Sequence, residues 1–579
     1  MKKKILLLSS IPTLTLLTTS CIEIKQPKYE SKSEENNKKE KNDNTNAGSM
    51  NSNKKIENQE PIPLPLPTPN QPEISKEQPS PKEPLNPDSK KDSKTPQTPQ
   101  FPIIPPNLPK LQKPKLAINK PELEIKQTKA YRKILDRSFA ISFNTITQSL
   151  NEGKRDNDEI PFLSTGTGWI LDYAWKNGVE NSEELMLYIA TNAHVYQYAY
   201  NALDNKLKET FPEYFTSEEQ KNARVVSFGI GIPLSDANLE PIESGKHEGN
   251  KNIVSYFINS NDQKYKKDVR DVKLVGEKIF SNPRTVFVAT DFFDKKTNEE
   301  ILKKHSNYQP NINKIQRIGK DFAVFAIKIK FNELKKQAET NQDLKKLFEH
   351  INKGINSINN DVTLFSSKQY PNHDKSKVPY ITYDYYSAYL HKDQYKNFDN
   401  ENIILSPNAK RIYIAGFPSD NNSGNNQYFW KNYPKNIKIE DYTFTSRSFL
   451  ASAPVENLLS EKTISYGIGV QAQVLNSSLY YGASGSLAIN EFGMPVGIYS
   501  SLWAQTLDIK DTTNWGAFTF LVQNSNDLFY GPKHNLIDGS NKDLYPNQEK
   551  SFRQNLKIFS EQDDFFKGFN KTILFENGV

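Results

Sequence analysis

The strongest constraint on how this chain folds is a proline-rich segment that follows a polar stretch near its amino terminus. Between Pro61 and Pro121 lie 18 of the chain's 35 prolines. The preceding stretch, Ile22–Glu60, is mostly Lys, Glu, Asn and Ser without an apolar period. Neither stretch can bury a core, and closely spaced prolines favour an extended polyproline II backbone. We therefore predict a disordered Lys/Asn/Pro-rich spacer over residues 22–127, with folded sequence beginning near Lys129.

Composition excludes several functional classes. The formal net charge is +7 from 75 basic and 68 acidic residues, which is mild for 579 residues and argues against nucleic acid as the main partner. The single cysteine excludes an internal disulfide and any CxxC metal or redox motif. The histidines show no zinc-binding HExxH spacing, so we predict no metal and no cofactor. Beyond the first residues, no segment has the roughly 18 consecutive apolar residues of a membrane helix.

The one cysteine ends an apolar segment at the amino terminus. A Met-Lys-Lys-Lys start is followed by the mostly apolar Ile5–Leu17 and then by small residues up to Cys21. This order is that of a secretory signal peptide. It resembles the lipobox of bacterial lipoproteins, in which the cysteine is acylated, although Thr18 stands where leucine is more usual. We predict a lipoprotein signal peptide over 1–21, a lipid anchor on Cys21 and a location on the extracellular face of the cell membrane. A plain signal peptide is the alternative.

The rest of the chain is predicted to form two strand-rich halves, 128–330 and 401–579, joined by a helical connection over 331–400. Apolar residues at near-helical spacing predict a first helix from Lys129 to about Gly153. The pattern indicates a mostly β fold with helical insertions, built from two β-barrels or sandwiches. Further helices are predicted at 203–214, 332–358 and within 548–570, and strands at 166–173, 185–191, 225–232, 272–275, 285–289, 321–329, 411–417, 442–449, 464–474, 486–489 and 495–501.

Among the seven histidines, His194 is the best candidate for a general base. It follows the apolar strand Leu187–Thr191 and two small residues. The unperturbed pKa of imidazole lies near neutrality, which suits a base held at a strand end. Simple packing at the strand end is the alternative. The other six are predicted to be surface residues from their polar, turn-like or helical surroundings: His247, His305, His350, His373, His391 and His534.

A carboxylate and a nucleophile complete a candidate site. Asp321 starts a strongly apolar predicted strand and can orient a histidine through its second ring nitrogen; an aspartate that merely begins a strand is the alternative. Ser484 lies between Gly482-Ala483 and Gly485. Glycine tolerates positive φ, which lets backbone N–H groups point at a developing oxyanion. An ordinary tight turn explains the same residues without catalysis.

Taken together, these motifs resemble those of chymotrypsin-like serine proteases. Segments 191–195, 321–325 and 482–486 follow the chain order His, Asp, Ser of that fold, which differs from the order in subtilisin and the α/β-hydrolases. Residues 167–170 resemble the glycine-containing hairpin strand before the histidine. Residues 497–501 resemble the strand that holds the substrate backbone beside the pocket.

With its lipoprotein start and spacer, the chain more narrowly resembles the Mycoplasma immunoglobulin protease family. The resemblance implies a two-barrel chymotrypsin-like fold behind the tether and a surface serine endopeptidase with catalytic His194, Asp321 and Ser484. Gly482 and Ser484 would supply the oxyanion hole. The implied substrate is a host protein, immunoglobulin heavy chain, cleaved in concert with a separate immunoglobulin-binding surface protein. The alternative is a catalytically inactive protease-like adhesin or immunoglobulin-binding lipoprotein.

Motif alignment also indicates where a substrate would bind. It places Ser478 near the floor of the primary specificity pocket, Leu502 near its wall and Ser500 beside the substrate backbone. The floor carries no acidic residue, so a preference for Lys or Arg is not expected. Ala483 replaces the aspartate that precedes the serine in digestive proteases, so we expect no activation by a buried new amino terminus. The long gaps between the three motifs predict large inserted loops or helices.

Overall fold

The computed structural model of the chain describes residues 22–24, 121–148, 159–215, 223–240, 253–267, 271–308, 315–368, 370, 373, 378–381, 412–419, 427–432, 444–447, 454–455, 463–465, 471–474, 479–503, 515–523 and 532–579. Cys21, Ser478, His247 and His391 lie outside these residues, as does most of the predicted spacer.

Twenty strands form in the described part of the chain. In chain order they are β1 (Ile22–Ile24), β2 (Ser138–Gln148), β3 (Glu159–Trp175), β4 (Glu184–Thr191), β5 (Arg224–Pro233), β6 (Val254–Ile258), β7 (Asp271–Leu274), β8 (Arg284–Thr290), β9 (Ile315–Lys330), β10 (Ile412–Gly416), β11 (Trp430–Lys431), β12 (Phe444–Arg447), β13 (Pro454–Val455), β14 (Thr463–Ser465), β15 (Gln471–Val474), β16 (Leu487–Asn490), β17 (Pro495–Trp503), β18 (Trp515–Phe520), β19 (Val522–Gln523) and β20 (His534–Asn535).

The strands assemble into two large sheets and one small one. The first sheet has eleven strands in the order β13-β14-β9-β4-β3-β2-β5-β6-β7, with β1 paired to β3 and β8 paired to β9. The second has seven strands in the order β11-β10-β16-β17-β18-β15-β12, and β19 pairs with β20. A mostly β fold with helical insertions is therefore confirmed. Among the strands described, the pairings close neither large sheet into a ring.

Six α-helices accompany the sheets in the described residues. The predicted helix at 332–358 is confirmed as two helices, and the predicted terminal helix is confirmed with shorter bounds. The predicted helix at 203–214 is reduced to two short 3-10 turns, Asn205–Leu207 and Pro212–Tyr214. The helices are α1 (Gln127–Arg137), α2 (Ala193–Tyr196), α3 (Lys295–Tyr308), α4 (Phe331–Ala338), α5 (Gln342–Ser367) and α6 (Phe552–Gln562).

The predicted first helix from Lys129 to Gly153 is wrong in its second half. The chain leaves α1 at Arg137 and enters β2 directly at Ser138. Along its whole length β2 pairs with β3, and its middle also pairs with β5. Two neighbouring strands satisfy the backbone of this segment, which outweighs an apolar spacing that also fits a helix.

The centre of the first sheet positions the candidate site. β4 is buried at every residue and lies between β3 and β9, as expected for a continuous apolar strand covered on both faces. Asp321 does not begin its strand as predicted, because β9 starts at Ile315 and carries Asp321 in its interior. The end of β4, which leads to His194, therefore lies beside the middle of β9, which carries Asp321.

A buried carboxylate ties β3 to the carboxy-terminal segment. Asp172 Oδ1 accepts hydrogen bonds from the backbone N–H groups of Tyr173 at 2.8 Å and Leu574 at 3.2 Å. The Ile573 N–H donates to the Tyr173 carbonyl oxygen at 3.1 Å. Asp172 is fully buried, and burial raises the pKa of its carboxyl group to about 7. Folding therefore favours the protonated form of this group.

Replacing Asp172 with asparagine is expected to flatten the pH dependence of stability. In the unfolded chain this carboxyl ionises near its ordinary pKa, whereas the folded one keeps its proton until about pH 7. The wild-type free energy of unfolding therefore falls as pH rises from about 4 to about 7. The difference in the free energy of unfolding between variant and wild type should shift by about 2–3 kcal/mol in favour of the variant as pH rises from 5 to 8. Urea unfolding at both pH values measures this gain, and equal pH slopes for the two proteins would contradict it.

Candidate active site

The end of β4 delivers His194 to an aspartate on the neighbouring strand. Thr191, the last residue of β4, lies opposite Ala323 of β9. The chain then turns into α2, which contains His194, while Asp321 lies two residues before Ala323. His194 Nδ1 lies 2.7 Å from Asp321 Oδ2, and the His194 backbone N–H donates to Asp321 Oδ1 at 3.0 Å. One carboxylate therefore holds both the ring and the backbone of the histidine.

The contact between His194 Nδ1 and Asp321 indicates which tautomer the neutral imidazole adopts. An ionised carboxylate only accepts hydrogen bonds, so Nδ1 of the neutral imidazole is the donor and Nε2 is left as the acceptor. The relative exposure is 4% for His194 and 6% for Asp321, and exclusion of water strengthens such a pair. The Asn192 amide donates to the Asp321 carbonyl oxygen at 2.8 Å and fixes that backbone. The arrangement suits a general base with an orienting acid.

Ser484 lies in a tight loop that precedes β16. The loop requires glycine at two positions, because the φ angles of Gly482 and Gly485 are 87° and 93°. The Ala483 carbonyl oxygen accepts a hydrogen bond from the Ser486 N–H at 3.0 Å. Ser484 is partly exposed, whereas its two neighbours are buried. The loop therefore exposes Ser484 between buried neighbours.

Backbone contacts bring this loop against the residues that flank the histidine. The Thr167 N–H donates to the Ser484 carbonyl oxygen at 2.8 Å, and the Thr167 carbonyl oxygen accepts from Thr191 Oγ1 at 2.8 Å. Gly166 is surrounded closely: a Cβ there would lie 2.7 Å from Val195 Cγ1 and 3.2 Å from the Ser484 carbonyl oxygen. Val195 directly follows the histidine. The serine loop and the histidine turn therefore pack against the same short stretch of β3.

The strand β17 lies along another side of the serine loop. The Gly485 N–H donates to the Tyr499 carbonyl oxygen at 2.9 Å. The predicted substrate-binding residues Ser500 and Leu502 both lie on this strand, and both side chains are buried. The structure therefore brings Ser500 next to the loop, whereas the predicted pocket floor at Ser478 falls outside the described residues.

Two residues that organise the loop were missed by sequence reasoning. The Thr167 hydroxyl donates to the Gly482 carbonyl oxygen at 3.2 Å and accepts from the Phe417 N–H at 2.9 Å. The Ser419 N–H donates to the Tyr481 carbonyl oxygen at 2.7 Å. Thr167 belongs to a motif that we interpreted only as a strand, and Ser419 carries no local signal in the sequence.

Three histidines that were predicted to lie on the surface are buried instead: His350, His373 and His534. Burial lowers the pKa of His350 to about 4 and that of His534 well below its ordinary value. His350 Nε2 lies 3.0 Å from the Ser138 carbonyl oxygen, which ties α5 to the start of β2. The described residues contain no group of three or more His, Cys, Asp or Glu side chains arranged to hold a metal ion.

Comparison with known proteins places this chain in a family. The sequence profile described as Mycoplasma immunoglobulin protease matches residues 128–501, which is more than half of the chain. The chain belongs to the Mycoplasma immunoglobulin protease family. An uncharacterized lipoprotein of Mycoplasma capricolum subsp. capricolum is 29% identical to this family member over 502 residues, covering 77% of the chain and 70% of the relative. An uncharacterized lipoprotein of Mycoplasmoides gallisepticum is 23% identical over 470 residues, covering 72% of the chain and 73% of the relative.

A solved structure titled as that of the mycoplasma MIB and MIP proteins is also similar to this immunoglobulin protease family member. The two share 17% sequence identity with a TM-score of 0.38, and the match covers 73% of the chain. The chain spans 61% of the length of that solved chain. Within the described part of the chain, no helix is long and apolar enough to cross a membrane.

Proposed function

We propose that this family member is a serine endopeptidase in which Ser484 is the nucleophile, His194 the general base and Asp321 the residue that orients the histidine. The observation that most supports the proposal is the buried pair with 2.7 Å between His194 Nδ1 and Asp321 Oδ2. Such a pair leaves Nε2 to accept the proton of a serine hydroxyl. The docking of the Ser484 loop beside the histidine turn supplies the matching nucleophile.

In the proposed reaction, Ser484 Oγ attacks the carbonyl carbon of a peptide bond while its proton passes to His194 Nε2. The resulting oxyanion is stabilised by the backbone N–H groups of Gly482 and Ser484. His194 then gives its proton to the leaving amine as the C–N bond breaks and an acyl-enzyme forms. A water molecule, deprotonated by the same imidazole, attacks the acyl-enzyme and restores the Ser484 hydroxyl with release of the acid product.

The proposal extends to the fold and to specificity. The two large sheets would correspond to the halves of a chymotrypsin-like arrangement, with 128–330 carrying the base and 401–579 the nucleophile. Ser478 would form the pocket floor, Leu502 its wall, and Ser500 would lie beside the substrate backbone. Without an acidic side chain at that floor, we propose selection of a small or apolar residue, or of the folded shape of the substrate.

We propose host immunoglobulin heavy chain as the substrate, a proposal supported by the description of the family. A separate immunoglobulin-binding surface protein is proposed to present it. Both relatives are named lipoproteins, which supports a lipid-anchored surface location. Cys21 would carry the lipid, and the segment 22–127 would hold the enzyme away from the membrane.

Incubation of the full chain with intact antibody tests the proposed function. We expect discrete heavy-chain fragments whose masses define one scissile bond, and we expect prior treatment with a fluorophosphonate to prevent their formation. A parallel reaction that contains an immunoglobulin-binding surface protein measures the need for a presenting partner. Antibody that is retained by the chain but stays intact in both reactions would contradict the proposal and favour an inactive binding protein.

A further inference from the structure

We infer that the Thr167 hydroxyl is a positioning group which, together with the Ser419 N–H, holds the oxyanion hole in its working orientation without proteolytic activation. The inference rests on the proposed serine protease function and deepens it. It concerns how the loop 480–486 is held, since this loop carries both proposed oxyanion donors.

The first support is the peptide group that joins Tyr481 to Gly482. Its carbonyl oxygen accepts a hydrogen bond from the Ser419 N–H at 2.7 Å. The C=O and N–H bonds of a trans peptide point in opposite directions, so the Gly482 N–H is directed away from Ser419. No residue in the described part of the chain accepts a hydrogen bond from this N–H. The donor is therefore available to an oxygen atom of a substrate.

The second support is that the next three carbonyl oxygens of the loop also accept hydrogen bonds. The Gly482 oxygen accepts from the Thr167 hydroxyl at 3.2 Å, and the Ser484 oxygen accepts from the Thr167 N–H at 2.8 Å. Between them, the Ala483 oxygen accepts from the N–H and the hydroxyl of Ser486 at 3.0 and 2.5 Å. Four successive carbonyl oxygens of the loop thus have donors. An oxyanion is stabilised by N–H groups and is repelled by carbonyl oxygens. Because these carbonyl oxygens are held in hydrogen bonds outside the oxyanion hole, the loop favours oxyanion binding.

The third support is the way Thr167 is enclosed. Its side chain is fully buried, and its hydroxyl oxygen already accepts from the Phe417 N–H at 2.9 Å. The hydroxyl hydrogen is therefore left to donate to the Gly482 carbonyl oxygen. A Cβ added at Gly416 would lie 2.8 Å from the Thr167 hydroxyl oxygen, so the backbone approaches this side chain closely. The hydroxyl has little freedom to point elsewhere.

Close packing around Gly482 leaves the loop few alternative backbone conformations. Its φ angle is 87°, and an added Cβ would lie 2.9 Å from Ser419 Oγ and 3.1 Å from Gln427 Nε2. Ala483 is buried in an apolar cluster and offers no charge for an ion pair. Neutral hydrogen bonds from Thr167 and Ser419 therefore hold the loop. No cleavage that creates a new charged amino terminus is required.

Substitutions at Thr167 test the inference by the rate of fluorophosphonate labelling. In this reaction Ser484 Oγ bonds to phosphorus, the P–F bond breaks, fluoride leaves and the serine proton passes to His194. The phosphoryl oxygen occupies the oxyanion hole, so the rate constant reports on its donors. We expect labelling about 10- to 100-fold slower for Thr167→Val and Thr167→Ala, somewhat less than the loss of a direct oxyanion donor. Thr167→Ser, which keeps the hydroxyl, should stay within about threefold of wild type.

A second readout separates positioning from general destabilisation. With a cleavable antibody substrate, the Ala and Val variants should lower kcat and leave KM nearly unchanged, because the lost interaction acts in the transition state. Thr165→Val, a threonine change two residues away on β3, should label at the wild-type rate. A purely structural role for Thr167 would reduce the labelled fraction and the melting temperature while leaving the labelling rate of the folded protein unchanged.

Different results of the labelling experiment would overturn the inference about Thr167 and the proposed protease function. Labelling of Thr167→Ala at the rate of wild type and of Thr167→Ser would overturn the inference alone. If the Val variant does not fold, the comparison of Ser with Ala decides by itself. Absence of labelling in wild type would overturn the proposed function and this inference with it.

Discussion

Replacing Ser484 with alanine is expected to abolish antibody cleavage while the protein stays folded. The Thr167 N–H donates to the Ser484 carbonyl oxygen and the Gly485 N–H donates to the Tyr499 carbonyl oxygen, so backbone hydrogen bonds continue to hold the loop when the Ser484 side chain is shortened. Without the nucleophile, the orienting pair has no proton to accept, and kcat should fall by roughly 10⁴- to 10⁶-fold. Fragment formation followed by mass spectrometry measures the loss.

A matched serine substitution controls for nonspecific effects. Ser560 lies on α6, where its hydroxyl donates to the Lys557 carbonyl oxygen at 2.8 Å, and Ser560→Ala should cleave as wild type does. Both variants should bind antibody as wild type does and unfold at similar temperatures. Cleavage by Ser484→Ala at even a tenth of the wild-type rate would rule out Ser484 as the nucleophile.

Replacing Asp321 with asparagine should lower kcat by about 10⁴-fold with little change in KM. Asparagine can still accept the His194 backbone N–H, but its NH₂ group would face Nδ1 in place of a carboxylate oxygen. Nδ1 would then have to accept, which leaves the hydrogen on Nε2 and removes the base that Ser484 needs. Steady-state kinetics on the antibody substrate separate kcat from KM.

Asp291 offers a control, because it follows β8 and contacts the first residues of β9, the strand that carries Asp321. It accepts hydrogen bonds from Arg317 at 2.7 Å and from the Ile318 N–H at 3.2 Å. Asp291→Asn removes a similar carboxylate next to β9, so it should lower the melting temperature and leave kcat within about twofold. Equal losses of kcat in both variants would show that the Asp321 effect comes from damage to β9 and not from the histidine.

The candidate site could be predicted from the sequence as far as each residue carries a local signal. His194 follows an apolar strand, Ser484 lies among glycines, and Asp321 adjoins an apolar run. Thr167 could not be found this way, because its hydroxyl bonds residues 250 and 315 positions away. Whether a threonine in a strand faces such partners depends on how the two sheets pack, and no local spacing encodes that packing.

The errors in the fold have the same origin. Residues 138–148 have an apolar spacing compatible with a helix, and only the strands β3 and β5 on either side make them a strand. His350 was assigned to the surface as a polar residue on a helix. It is buried because its ring reaches the Ser138 carbonyl oxygen, 212 positions away. The strands predicted along β4 and β9 were correct in type because their apolar runs are long and uninterrupted, although β9 begins at Ile315 and not at Asp321.

The central claim is that Ser484 is an activated nucleophile, and covalent labelling tests it most directly. The full chain is treated with a fluorophosphonate probe at neutral pH and digested, and the modified peptide is sequenced by mass spectrometry. The proposal predicts one adduct, located on Ser484, that is absent from the protein carrying His194→Ala. An unlabelled wild-type chain, or an adduct on a different residue, would contradict it.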